Sequence, residues 1–313
     1  MESYPPVFRH LTGTASPPPA PSSSSVRIPV VDLESLSLEK LGEACKEWGV
    51  FRLLNHGIPP TLLAKLEEQV KVLFSLSFHS KQTLSYFWGT PVPVPVLTPS
   101  HSRDAALPLC FNWLEGINVP LTQLPHFHSH HPMLEDFRHS LEEYGRHLSR
   151  IATSLFEAMV KNLNLCPKQS ESSLDESTGF IRLYRYPPRT SVDEACGMME
   201  HTDSSLLSIV NQDQVGGLEI FKDNKWLLVN PISDTLLVHA ISDDRYTSVK
   251  HRVRVKQQEE RLSICYFVFP AKGSVVRSST YKPFTYSDFQ KQVQNDTNTL
   301  GYKLGLQTFK LTT

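Results

Sequence analysis

Only five cysteines occur in the 313 residues, Cys45, Cys110, Cys166, Cys196 and Cys265, an odd number with no C-x-x-C pair among them. That spacing offers neither a disulfide framework nor a thiolate zinc site. It suits reduced, mostly buried thiols in the cytoplasm, with the nucleus left open. No run approaches the roughly 18 to 20 uninterrupted apolar residues that a bilayer-spanning helix needs, so no membrane partner is expected. A surplus of one charge is missing as well, because 31 Lys and Arg stand against 32 Asp and Glu for a formal net charge of −1. Nothing in that balance draws the chain to nucleic acid or an anionic membrane, which leaves a small neutral or anionic ligand. The opening MESYPPVFRH lacks the charged-then-apolar order of a secretory signal. Ser22 to Ser25 would suit a plastid transit peptide, but Glu2 and the nearby prolines count against one. With 40% hydrophobic and 20% charged residues, the chain can bury a full core as one large domain or two small ones.

Along the chain, residues 1–26 carry Pro17-Pro18-Pro19, Pro21 and four serines and are expected to form a disordered tail. An N-terminal α/β region over 27–132 begins with a strand at Ile28–Leu33, where Pro29 marks a sheet edge. A helix over about Leu38–Trp48, a strand at Val50–Leu54, the turn Asn55-His56-Gly57 and a helix from Pro60 to about Phe74 follow. From Phe78 to Pro132, with PVPVPVLTP at 91–99, no period is sustained, and the segment reads as a long functional loop. Within 133–176, Leu134, Phe137, Leu141, Tyr144, Leu148, Ile151, Leu155 and Met159 recur every three or four residues. They describe one apolar face of a long helix that packs on a sheet from outside. Over 177–280 come short β-type runs, FIRLYRY, LLSIV, LEIF, KWLLV, TLLVHAI and LSICYFVF, separated by turns. Closely spaced strands of this kind predict a double-sheet jelly roll or barrel, giving a mainly β protein with flanking helices. Residues 281–313 close the chain with a helix over about Phe284–Asn298 and a tail.

The chemistry concentrates in His201-Thr202-Asp203, His251 and Arg261-Leu262-Ser263. On a strand, residues i and i+2 share a face, so His201 and Asp203 would both point into a barrel, with His251 completing the set from across it. Two neutral imidazoles and a carboxylate suit a divalent iron and leave positions open for a cosubstrate and oxygen. A buried Arg261 needs an anion, and its planar fork beside the Ser263 hydroxyl suits the far carboxylate of a dicarboxylic ketoacid. An H-x-D alone is ordinarily incidental. Its company makes it a site. The bland reading of Arg261, a salt bridge to a core carboxylate, is disfavoured by the Ser263 pairing. His126, His128, His130 and His131 lack a zinc-ligand spacing and read as a solvated loop. His239 reads as a core or pocket residue, and His56 and Trp48 as structural.

This order of motifs resembles the plant iron(II)- and 2-oxoglutarate-dependent dioxygenases, which carry H-x-D, H and R-x-S in the same sequence. The likeness covers nearly the whole chain after residue 27. It takes in Ile28 to Leu33, Trp48-Gly49-Val50-Phe51, Asn55-His56-Gly57, Tyr186-Pro187-Pro188, Gln212 to Leu218 and Ser248 to Val253. The resemblance implies a distorted double-stranded β-helix in which His201, Asp203 and His251 bind iron and carry catalysis, while Arg261, Ser263 and Tyr186 bind 2-oxoglutarate. For Tyr186 the alternative is a packed strand aromatic. Implied with them are oxygen as oxidant, ascorbate as reductant, release of succinate and carbon dioxide, and hydroxylation or desaturation of a C–H bond. Three departures from the family pattern are Tyr184 for an asparagine before the tyrosine of the Y-P motif, Arg189 for a cysteine after it, and Ser233-Asp234 for Gly-Asp.

The closing Tyr281 to Tyr286 and Gly301 to Leu306 resemble the gibberellin 2-oxidases, particularly the class acting on twenty-carbon precursors. That implies modification or inactivation of a hormone, a small apolar carboxylic acid, and the chain is expected to act as a monomer. Phe111, Trp113 and Tyr184 are candidates for its apolar wall, and Arg103 for its carboxylate. Auxin, a flavonoid or another specialised metabolite are alternative substrates. An oxidase using iron with a reductant other than 2-oxoglutarate, as in aminocyclopropane carboxylate oxidases, and a catalytically silent binding protein also stand open. The intact ligand set argues against the last.

Overall fold

A computed structural model describes residues 2–9, 24–90, 112–126, 132–165, 174, 179–189, 196–240, 245–271, 273–277, 280–300 and 304–311. In chain order its strands are β1 (Val30–Asp32), β2 (Val50–Leu54), β3 (Tyr86–Trp88), β4 (Glu115–Pro120), β5 (Phe180–Tyr186) and β6 (Cys196–His201). They continue with β7 (Leu207–Gln212), β8 (Leu218–Lys222), β9 (Lys225–Leu228), β10 (Leu236–Ala240), β11 (His251–Arg254) and β12 (Arg261–Val268). The helices are α1 (Pro6–Arg9), α2 (Leu38–Glu43), α3 (Pro60–Ser75), α4 (Phe78–Lys81), α5 (Pro132–Asn162) and α6 (Tyr286–Leu300).

Among the described residues the strands form a large sheet of eight in the order β1-β2-β10-β7-β12-β5-β4-β3, a small sheet of four in the order β6-β11-β8-β9, and a separate two-stranded pair of Val275–Val276 with Phe284–Thr285. Period-two alternation divides each strand of the large sheet between two cores. On β5 and β12, Ile181, Leu183, Leu262, Ile264, Tyr266 and Val268 face one core together with α3 and α5. Tyr184, Tyr186 and Cys265, at the intervening positions, face a second core with Leu218, Ile220 and Val253 of the small sheet. The apolar stripes of α3 (Leu62, Leu66, Val70, Leu73, Phe74) and of the whole predicted face of α5 are buried. Each such side chain contributes about 1.5–3 kcal/mol, which is what seats the helices on the outer face. The double-stranded β-helix is therefore present, with its helices behind the large sheet and the second core between the sheets.

β1 lies at the sheet edge, where Pro29 placed it. Helix α2 passes into a wider turn over Ala44–Trp48 and stops at Gly49, whose φ is 67°. A Cβ there would lie 2.0 Å from the Thr247 carbonyl oxygen, so both conformation and space require glycine.

Three expectations are corrected. Residues 2–9 do not belong to a disordered tail: Phe8 is fully buried, its ring 4.0 Å from that of Trp113, and the Ser3 carbonyl accepts from Lys81 Nζ at 2.5 Å and Arg185 Nη2 at 3.2 Å. An average over 26 residues hid the aromatic anchors that make this end stick. The supposed loop 78–132 likewise contains α4 and two strands, β3 and β4, that extend the large sheet. β4 reads EGINVP, weak in β-formers, and is held by pairing with β5 rather than by its own propensity. The long helix ends at Asn162, short of the 176 boundary.

Candidate active site

Pairing between β5 and β12 sets opposite one another Arg261 and Tyr186, Ser263 and Tyr184, Cys265 and Arg182, and Phe267 and Phe180. All eight side chains line one cavity of about 840 Å³ between the sheets. From the small sheet, His201 ends β6 and His251 opens β11, and the two are cross-strand partners with ring centroids 4.2 Å apart. Asp203 departs from the expected strand alternation, since β6 ends at His201. It is held instead by β7, where the Ser208 hydroxyl donates to Asp203 Oδ2 at 2.6 Å.

Both histidine Nε2 atoms lie 3.8 Å from Asp203 Oδ1, and one ligand atom from each of the three residues falls within 4.8 Å of the others. Ligands 3.8 Å apart can share an ion with bonds of about 2.0–2.2 Å. The second ring nitrogens are already engaged. His201 Nδ1 sits 2.8 Å from the Met199 carbonyl and His251 Nδ1 3.2 Å from that of Val249. Donation from Nδ1–H to these carbonyls sets the tautomer in which each Nε2 presents its lone pair for a metal. Burial pushes the His251 imidazole down to about 4, against the pull of Asp203, so its ring is neutral. Burial opposes charge on Asp203 too, but His251, His239, His201 and the Ser208 hydroxyl outweigh it and hold the carboxyl below its ordinary range. Neutral imidazoles with an ionised carboxylate are the donor set that divalent iron takes.

Arg261 is 1% exposed. Its Nη1 donates to Ser263 Oγ at 3.3 Å, its Nη2 to Gln212 Oε1 at 3.2 Å, and its guanidinium carbon lies 4.9 Å from the Tyr186 ring centroid. Nε has no partner, and among the described residues no carboxylate lies within ion-pair distance. A buried cation so arranged fits an incoming anion, as 2-oxoglutarate would supply. Gly197 adds room: a Cβ there would come within 2.6 Å of the Tyr186 ring.

Of the substrate candidates, Tyr184 forms part of the wall. Trp113 does not: its indole packs on Phe8 and donates to the Pro187 carbonyl at 2.9 Å, behind the lining residues Asn112 and Leu114. Phe111 and Arg103 lie outside the described residues, as do His128, His130 and His131. Two site roles escaped the sequence reading, those of Gln212, which stood within a family-like run without a task, and of Ser208; His239, read as a core or pocket residue, is in the pocket wall. Gln212 meets Arg261 because it pairs across the ladder with Ser263, Ser208 steadies Asp203, and His239 lies in the wall with its ring 4.6 Å from that of His251. Strand pairing reveals the first and a side-chain contact across a turn the second; for His239, an imidazole inside an apolar run was the available signal.

Residues 177–270 match the family described as 2OG-Fe(II) oxygenase superfamily, and residues 28–90 the one described as non-haem dioxygenase in morphine synthesis N-terminal. Solved structures share the fold: JOX2 in complex with 2OG, Fe and JA, at TM-score 0.76 and 22% identity over 99% of both chains, and the dioxygenase for auxin oxidation from rice, at 0.70 and 22% over 91% of this chain and 100% of that one. Gibberellin 2-beta-dioxygenase 6 of Oryza sativa subsp. japonica is 33% identical over 90% of this chain and 84% of its own length. The chain belongs to the 2-oxoglutarate- and iron(II)-dependent oxygenase family. It is an oxidoreductase using those two cofactors, and it is similar to several gibberellin 2-beta-dioxygenases, among them number 8 of Arabidopsis thaliana at 31% identity over 91% of this chain and 87% of that one. No helix among the described residues is long and apolar enough to cross a membrane.

Proposed function

We propose that this chain oxidises a gibberellin or a closely similar apolar carboxylic acid, with His201, Asp203 and His251 holding iron(II) and Arg261, Ser263 and Tyr186 holding 2-oxoglutarate. The observation that carries the reading is the meeting, in one cavity, of the three ligand groups and a buried arginine with no carboxylate at ion-pair distance among the described residues. Bound iron and 2-oxoglutarate would supply the oxidising power toward a C–H bond. The protein's own part is positional. Met199 and Val249 fix the two imidazole tautomers through their carbonyls, Ser208 turns Asp203 so that Oδ1 faces both Nε2 atoms, and Arg261 with Ser263 sets where the cosubstrate's far carboxylate rests. Phe87, Tyr184, Val210 and Phe267 give the cavity apolar walls that exclude water from the reacting atoms. The names of the relatives, at 28–33% identity, support a gibberellin as substrate.

Incubation with iron(II), ascorbate, 2-oxoglutarate and a panel of nineteen- and twenty-carbon gibberellins, followed by mass spectrometry, is expected to give a product one oxygen heavier or two hydrogens lighter. Turnover of auxin or a flavonoid with no gibberellin product would overturn the substrate and keep the chemistry.

A further inference from the structure

The cavity contains a second arginine that the cosubstrate does not need. Arg182 stands on the same face of β5 as Tyr184 and Tyr186, opposite Cys265, four residues along the ladder from the Arg261 level. Four residues of strand place it about 13 Å from that level. The two guanidiniums thus occupy different ends of one cavity, with the ligand cluster His201, Asp203 and His251 also in its wall.

The surroundings of Arg182 are apolar to an unusual degree for a cation. Its guanidinium carbon lies 5.3 Å from the Phe87 ring centroid, 5.0 Å from Phe180, 5.8 Å from Tyr184 and 5.6 Å from Phe267. Nε donates to Asn118 Oδ1 at 2.5 Å and Nη1 to the Tyr184 hydroxyl at 3.1 Å. These neutral contacts fix the plane of the group without neutralising it. Among the described residues no carboxylate lies within ion-pair distance of Arg182. Cys265 across the ladder supplies no negative charge, because burial pushes its thiol up to about 12. A fork with an open edge, held rigid in an aromatic box, is built to take a carboxylate whose neighbouring atoms are hydrocarbon.

We propose that Arg182 anchors the substrate's carboxylate, so that the cavity binds two acids at once, the cosubstrate at Arg261 and an apolar monocarboxylate at Arg182 with its hydrocarbon body spanning toward the ligand cluster. This rests on the proposed reading that the substrate is a small carboxylic acid, and it replaces Arg103 as the residue that meets it.

The test is equilibrium binding to the full chain loaded with iron(II) and 2-oxoglutarate under nitrogen, using two probe pairs: a gibberellin and its methyl ester, and indole-3-acetic acid and its methyl ester. At least one acid is expected to bind roughly ten- to a hundred-fold more tightly than its ester, the loss expected when a charge-assisted contact is removed. Arg182→Met is expected to bring that ratio close to one, and Arg182→Lys to keep a reduced preference for the acid. If R182M fails to fold, Arg182→Gln removes the charge while keeping a polar stem, and the acid-to-ester ratio of the unmodified chain still decides. Selectivity for indole-3-acetic acid alone would support Arg182 as anchor while sinking the gibberellin reading. Equal binding of acid and ester, binding of neither acid, or an R182M chain that keeps the full ratio would each overturn the proposal.

Discussion

Asp203 is the residue on which the site turns, and its place is secured by a serine that no motif announces. Ser208 Oγ donates to Oδ2 and is itself 2.7 Å from Ser205 Oγ, so the carboxylate is oriented by a short hydroxyl chain at the start of β7 and the turn before it. Partners of this kind tune metal affinity without touching the metal. Ser208→Ala is therefore expected to weaken manganese(II) or iron(II) binding by about ten-fold, measured by anaerobic titration, with the far-ultraviolet dichroism unchanged. Unaltered metal affinity in that variant would show that Asp203 orientation is set elsewhere.

At the scale of elements, the large sheet is extended past β5 by β4 and β3, and a buried charge cluster locks that extension. Glu115 on β4 is fully buried and meets Lys81 Nζ at 2.8 Å as well as Arg185 and the Tyr86 hydroxyl. Lys81 and Arg185 in turn reach the Ser3 carbonyl, which ties the N-terminal segment to the same point. Removing the carboxylate leaves buried Lys81 with no acidic partner among the described residues and Arg185 with only Glu260, 3.7 Å away. Glu115→Ala is expected to lower unfolding free energy by about 3–5 kcal/mol in denaturant titrations. Lys65→Ala is the control: it breaks a 2.8 Å pair with Asp136, but with side chains 47% and 57% exposed that pair contributes less than about 1 kcal/mol. Comparable losses in the two variants would contradict the role given to the cluster. β4 supports the cavity directly, since Gly116 pairs with Tyr184 and Asn118 with Arg182.

Across the whole molecule, what could be read from the residues was whatever depends on local period. The α5 stripe, the helix opened by Pro60, the edge position of β1 and the short strands from Phe180 onward all follow from spacing, and each is in the structure. The cluster of His201, Asp203, His251, Arg261 and Ser263 was legible from motif order, and for Arg261 and Ser263 from alternation on β12, whereas Asp203 sits past the end of β6. Features made by pairing or by a side-chain contact across a turn were not legible. Gln212 joins Arg261 through register, Ser208 reaches Asp203 across a turn, and β4 exists because β5 is beside it. Trp113 was misjudged for a related reason: its neighbours Asn112 and Leu114 line the cavity, and alternation turns the indole the other way, onto Phe8.

The central claim is that this ligand cluster and this arginine together run 2-oxoglutarate-dependent oxidation. It is tested most directly by release of labelled carbon dioxide from 1-labelled 2-oxoglutarate in the presence of iron(II), ascorbate and a gibberellin, comparing the unmodified chain with Asp203→Ala and Arg261→Met. Release that depends on iron and 2-oxoglutarate, is lost in D203A, and in R261M is recovered only at much higher 2-oxoglutarate is the expected result. Undiminished release from D203A, or none from the unmodified chain with any acid, would contradict it.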